Sequence, residues 1–265
     1  MAGAKIIHVS LYALAVLILS WSSGMALQDE DSTRIRTYEK VKTLIEDQNF
    51  FGAVTYVQSL GKPEEVAKVY EKLVLDFYWK AKSIPDVVSI ARAGLQYCLT
   101  EAERIKQENP EEAAALKESA KKMSYNLASF TWPGWDEKGY VITHQDILVG
   151  LDAARLNVRL VHELNNGDEA ISIAYWGLGA QLIATQQYDQ ALDAFDKSRK
   201  YAISAGNRLN ELLAEGFIGV TMIISGDEKG RDKLGEAVKK LNEVGSEDAL
   251  FFVGQFNTAL NVFIK

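Results

Sequence analysis

Between Glu169 and Asp189 the chain runs for nineteen residues without a charged side chain. Ile171, Tyr175, Leu178 and Leu182 recur at three and four residues, the spacing of one helix face, while Ile173, Trp176, Ala180 and Ile183 form a second apolar stripe. A helix apolar on two faces needs neighbours on both. A bilayer would satisfy such a helix, but Ser172, Gln181, Thr185, Gln186 and Gln187 interrupt the run and leave it short of the ~20 apolar residues a span requires. The stretch therefore predicts a central helix sandwiched inside a water-facing body.

Composition bounds that body. With 48% hydrophobic and 10% aromatic residues over 265 positions, the chain can bury a substantial core. Its net charge of -7 argues against a phosphate-binding surface, so nucleic acid is not an expected partner. The single cysteine, Cys98, excludes an intramolecular disulfide and a cysteine-based zinc site. Its setting, Leu95-Gln-Tyr-Cys98-Leu, predicts a buried and inert thiol on an amphipathic helix. Strand-like alternation is rare, and the body is expected to be nearly all α.

Residues 1–26 read as a targeting segment. Lys5 is the sole charged side chain before Asp29, an apolar run extends from Val9 to Trp21, and small residues stand at Gly24 and Ala26. Cleavage after Ala26 would leave a single helical domain over 27–265. Uncleaved, the segment would be a short signal anchor, the one expected route to a membrane. Either form exports the body, and an exported chain with one thiol fits a bacterial periplasm.

Helix signals then follow one another closely. Periodic apolar positions predict helices over Thr33 to Asp47, Phe50 to Leu60 and Pro63 to about Lys82. Ser83-Ile-Pro-Asp86 has capping-box spacing and opens a helix to about Gln107; Asn109-Pro110 opens another to Phe130. The exception is the aromatic connection Thr131 to Ile142. Thr143 and Asp146 cap a helix to about Leu164 whose Ile147 and Val149 stripes suggest that it too is sandwiched. After the central helix come Tyr188 to Ser204, Asn207 to Ile224, Arg231 to Val244 and a closing apolar helix from Glu247 to Ile264. Short turns between many helices suggest stacked hairpins.

One hairpin carries a family pattern. Tyr175-x-x-Leu178-Gly179-x-x-Leu182, followed by Tyr188, Ala191 and Phe195, resembles a tetratricopeptide repeat, with Gly179 and Ala191 where the two helices would cross. The match spans Ala170 to Tyr201; elsewhere the chain is similar only in style. The resemblance implies an all-α, right-handed stack of antiparallel helical hairpins, and a scaffold or adaptor that binds a protein or peptide in a helical groove.

The residues themselves offer little chemistry. Gly177-Leu-Gly179 lies inside a helix without the strand or lysine of a nucleotide loop. His144 and His162 share a helix but stand about 27 Å apart at ~1.5 Å per residue, too far to share a metal. Acid pairs such as Glu64-Glu65 and Glu111-Glu112 fall in first turns, where they complement the helix dipole. No catalytic set, cofactor or metal site is expected. Two features keep binding in view. Trp132, Trp135 and Tyr140 lie on a loop, where they either stack on a ligand such as a glycan or plug the adjacent hairpin. Asp152, Arg155, Arg159 and His162 form a polar strip, either a solvated face or, with Trp176, the lining of a partner groove.

Overall fold

The computed structural model describes residues 24–264, with side chains from residue 33 onward. Eleven α-helices and no strand occur among them: α1 (Gly24–Glu46), α2 (Phe50–Gln58), α3 (Pro63–Asp76), α4 (Ile84–Ile105), α5 (Pro110–Phe130), α6 (His144–Glu163), α7 (Gly167–Ala184), α8 (Tyr188–Ser204), α9 (Arg208–Ile224), α10 (Lys229–Val244) and α11 (Glu247–Phe263). The predicted targeting segment lies outside the described residues except for its last three, which open α1. No helix among the described residues is long and apolar enough to cross a membrane.

Helix starts sit where the capping residues put them. Side chains of Asn49, Ser83, Asn109, Thr143, Asn207 and Ser246 each accept a hydrogen bond from a backbone N–H three residues on. Thr143 and Asp146 complete a reciprocal box, the Thr143 N–H donating to the Asp146 carboxylate at 2.8 Å. At Ser83 only half of the box forms, a long 3.4 Å bond from the Asp86 N–H.

The turns between helices repeat more faithfully than the helices do. Gln48, Asn165, Gln186, Gly206 and Gly226 all adopt left-handed φ, between 51° and 91°. In each case the next N–H bonds back to a carbonyl five residues earlier, as Asn166 does to Val161 and Asn207 to Ala202. This Schellman geometry satisfies the last carbonyls of one helix and aims the chain into the next. From α6 onward these turns fall at 165, 186, 206 and 226, so successive hairpins repeat every forty residues or so.

Sequential helices pack as neighbouring pairs, while α3, α5, α7, α9 and α11 also touch one another in turn and form one layer with α4, α6, α8 and α10 behind it. Apolar packing divides into two main cores. The first gathers α1 to α6 around Tyr70, Phe77 and Met123; the second gathers α7 to α11 around Phe195, Phe217 and Phe256, and takes in Trp132. Leu178 packs against both. Every residue of α7 from Ala170 to Thr185 is at least partly buried, as two apolar stripes require. α6 is flanked by α5 and α7, and every residue of its two predicted apolar stripes is at least partly buried, while Leu148, Asp152, Arg155, Arg159 and His162 face water.

Close crossings explain several glycines. A Cβ on Gly179 would meet the Phe195 ring at 2.7 Å, so the helix crossing expected of the α7–α8 hairpin is present. Between α9 and α10 the backbones themselves touch: a Cβ on Gly230 would lie 2.6 Å from the Gly219 carbonyl oxygen and 2.8 Å from the Ile223 nitrogen. Gly177 is the opposite case, since a Cβ there would have no neighbour within 4 Å. Gly230→Ala is therefore expected to lower stability by about 1–3 kcal/mol through overpacking against backbone, whereas Gly177→Ala should raise it by ~0.5–1 kcal/mol by removing chain entropy inside a helix. Thermal unfolding of the two variants checks both signs.

Candidate ligand pocket

The layer of odd-numbered helices encloses a pocket where the two cores meet. Leu75 of α3 and Phe130 of α5 come from the side of the first core, Trp176 of α7, Leu213 of α9 and Phe252 of α11 from the second. The cavity they leave has a volume of about 70 Å³, several times what one water needs.

Local backbone geometry brings in the remaining aromatic walls. At the end of α3 the chain widens into a π turn, Phe77–Ala81, closed by Lys82 in the left-handed region with φ 52°. Such insertions change which way successive side chains project. Here Trp79 lines the pocket, while Tyr78 stacks between Phe130, with centroids 3.7 Å apart, and Tyr140, at 4.4 Å. Trp135 arrives from a 3-10 turn, Pro133–Trp135, and its indole N–H donates to the Ser129 carbonyl at 2.8 Å.

Polar groups in the walls are numerous and uncharged. Asn126 and Ser129 come from α5, Ser172 from α7, Ser198 from α8, Asn210 from α9 and Gln255 from α11. Among the described residues no Asp, Glu, Lys, Arg or His lines the cavity. Ser172 donates to the Ser198 carbonyl at 2.9 Å at its base. Two other polar atoms are orphaned: the Trp176 indole nitrogen and the Gln255 side-chain oxygen are buried without a hydrogen-bond partner. A buried donor or acceptor left unpaired costs about 1–3 kcal/mol, so both lie behind the cavity wall at a cost that the packing around them offsets.

The six residues singled out in the sequence separate cleanly. Trp176 and Trp135 line the pocket. Trp132 is 1% exposed and sits behind them, its ring 4.9 Å from Trp135 and 5.9 Å from both Trp176 and Phe217. Tyr140 stands apart: Tyr78 covers one face, the Lys82 ammonium lies 5.5 Å from its centroid, and its hydroxyl donates to the Tyr78 carbonyl. Tyr78 in turn donates to Glu137 at 2.7 Å. Arg155 and Arg159 are exposed on α6 and pair along their own helix with Asp152, at 3.4 Å, and Glu163, at 3.3 Å. His162 stacks edge-on against Tyr175 and Tyr201. The structure thus brings Trp176 and Trp135 together and leaves both arginines outside the pocket.

Sequence reasoning missed Tyr125, Asn126, Asn210 and Gln255, each a polar side chain on a helix with an otherwise ordinary amphipathic pattern. Cys98 is buried, as its setting predicted, and desolvation pushes its thiol up to about 12. Among the described residues no group of three His, Cys, Asp or Glu side chains is placed to hold a metal ion. Compared with protein-family models and with curated proteins, the sequence matches none.

Burial also raises the pocket phenol: desolvation pushes Tyr125 up to about 12, as it does Tyr70 and Tyr140. Tyr38, Tyr78 and Tyr97 are raised for the same first reason. The neutral phenols therefore contribute stability that is complete below their unfolded pKa of about 10 and is lost as pH climbs through about 12. Near-ultraviolet tyrosinate absorbance of the native protein should lag well behind that of the unfolded chain across this window, and the melting temperature should fall within it. Coincident titration curves for native and unfolded protein would contradict this.

Proposed function

We propose that the chain is an exported, non-catalytic binding protein, a right-handed stack of helical hairpins that holds an uncharged ligand in the pocket between its two cores. The observation that supports this most is the make-up of the walls: several aromatic rings and several neutral polar side chains, with no Asp, Glu, Lys, Arg or His among the described residues that line them. A charged ligand entering such a site would lose its water without meeting a counter-charge, at a penalty of several kcal/mol. An uncharged one exchanges water for aromatic surface and amide or hydroxyl partners.

The aromatic connection takes part through one member, Trp135, with Trp132 holding it from behind. Peptide capture, which the tetratricopeptide resemblance implies, is the second reading, and Trp176 in the pocket wall favours it: a partner's uncharged side chain would then be the occupant. On either reading Arg155 and Arg159 are solvated and act on no ligand in this pocket.

A thermal-shift screen of uncharged, anionic and cationic small molecules, with uncharged peptides as a separate arm, tests the proposal. Uncharged members should raise the melting temperature and charged ones should not. Ile173→Trp, which fills the cavity from α7, should abolish the shift, while the double variant Arg155→Ala and Arg159→Ala should keep it. Stabilisation only by charged compounds, or a shift lost with the arginines, would overturn the reading.

A further inference from the structure

A terminal helix of a stack has no neighbour beyond it, so its outer face is ordinarily polar and charged. α10 conforms, with Lys229, Arg231, Glu236 and Lys239 along its exposed surface. α11, at the same end, does not: from Ala249 to Ile264 it carries no charged side chain. Phe252, Phe256 and Ala259 bury one of its faces in the second core. The opposite face holds Leu250, Gly254, Asn257, Asn261 and Ile264, all exposed, Leu250 by 54% and Ile264 by 49%. Half-buried Val253 and Leu260 flank it. These positions recur at three and four residues, the spacing of a helix face made to meet another helix, and depletion of charge marks the centre of an interface.

Charge selects the occupant. At a net charge of -7, two copies of this chain repel one another over most of their surface, but not across a face that carries no charge. In sequence, the charges that flank the run are Glu247 and Asp248 before it and Lys265 after it. An antiparallel pair of these helices sets acid against base at both ends, which a parallel pair does not. The register agrees. A two-fold axis at Asn257 brings position 250 level with 264, 253 with 261 and 254 with 260. Leu250 then faces Ile264, and Leu260 faces Gly254, where a Cβ would have no neighbour within 4 Å and a second chain finds room. Asn257 faces its own copy, an amide that both donates and accepts.

We infer that the outer face of α11 is a self-association surface, on which a second copy of the chain docks its own α11 antiparallel about a two-fold axis at Asn257. The stripe from Leu250 to Ile264 spans roughly 21 Å at ~1.5 Å per residue and is about 10 Å across. That footprint is well short of the ~800 Å² per partner of a standard interface, so the association is reversible and follows concentration. Since α11 also supplies Phe251, Phe252 and Gln255 to the pocket wall, each dimer carries two copies of the pocket.

Sedimentation velocity of the full chain over about a hundredfold range of concentration tests this, and the sedimentation coefficient should rise toward that of a dimer. Gly254→Glu places a charge at an exposed position with open space around it, so the thermal transition should be kept while association weakens by about tenfold or more. Under mild oxidation Asn257→Cys should cross-link to its own copy, because a residue on the axis faces itself. Asn261→Cys, level with Val253, should not. Cys98 is buried and stays out of the reaction. A chain that sediments as a monomer at every concentration, an association that Gly254→Glu leaves unchanged, or cross-linking by Asn261→Cys would overturn the proposal.

Discussion

A helix with no water-facing side must satisfy its polar groups with protein, and α7 is such a helix. Its apolar residues meet α5, α6, α8 and α9, but Ser172 and Gln181 are 1% exposed and need partners. Ser172 donates to the Ser198 carbonyl in α8. The Gln181 amide donates to the Ala128 carbonyl at 2.5 Å, near the end of α5. These bonds fix α7 along its axis as well as around it, because each acceptor carbonyl stands at one height on its own helix. Gly150 of α6 leaves the room: a Cβ there would lie 2.1 Å from the Thr131 hydroxyl and 2.6 Å from the Gln181 amide. The central helix is thus held by polar ties set in apolar packing, and the helices on either side take their positions from it.

That arrangement also creates the seam. The first core is built mainly from helices before the aromatic connection and takes in α6 after it, while the second is built from α7 to α11 together with Trp132. Trp132 anchors the junction, and a Cβ on Gly134 would sit 2.2 Å from its ring, so the turn folds flat against it. Layers joined this way bury their outer contacts well but leave the inner edge of the joint unfilled, since side chains from six helices cannot all reach it. The pocket is that edge. Among the described residues, two of the five buried polar atoms without a partner belong to side chains of its lining, and a third, the Trp132 indole nitrogen, belongs to the ring that anchors the junction.

Much of the helical layout was legible because local chemistry wrote it. Pro110 and Asn109 start α5, and Asn207 starts α9, within a residue of where their caps predict. The repeated turns were not legible, because the left-handed position is filled by Gln, Asn or Gly with equal success and the Schellman bonds are between backbone atoms. Periodicity read α6 correctly, since its second apolar stripe packs on the first core through Leu160, Leu156 and Leu164, and the polar strip is a solvated face tied by local ion pairs. Trp132 and Trp135 were visible as a pair without a direction. One packs and the other lines the pocket, a difference set by the 3-10 turn and invisible in composition.

Gln255 shows why the site could not be read from the chain. On α11 it occupies a position that, by pattern alone, belongs to the polar side of a helix otherwise loaded with Phe251, Phe252 and Phe256. It becomes a pocket residue because α11 packs against α9 and against the 3-10 turn on the far side of the aromatic connection, more than a hundred residues away in sequence. Phe256 secures the first of those contacts by lying on Gly216, where a Cβ would sit 2.0 Å from its ring. The second is made near the helix end, where Phe263 reaches Trp132. A helix fastened at two points on its apolar side has its rotation fixed, so Gln255 stays beside the cavity with its oxygen buried and unpaired, an unfavourable position that packing elsewhere along α11 holds in place.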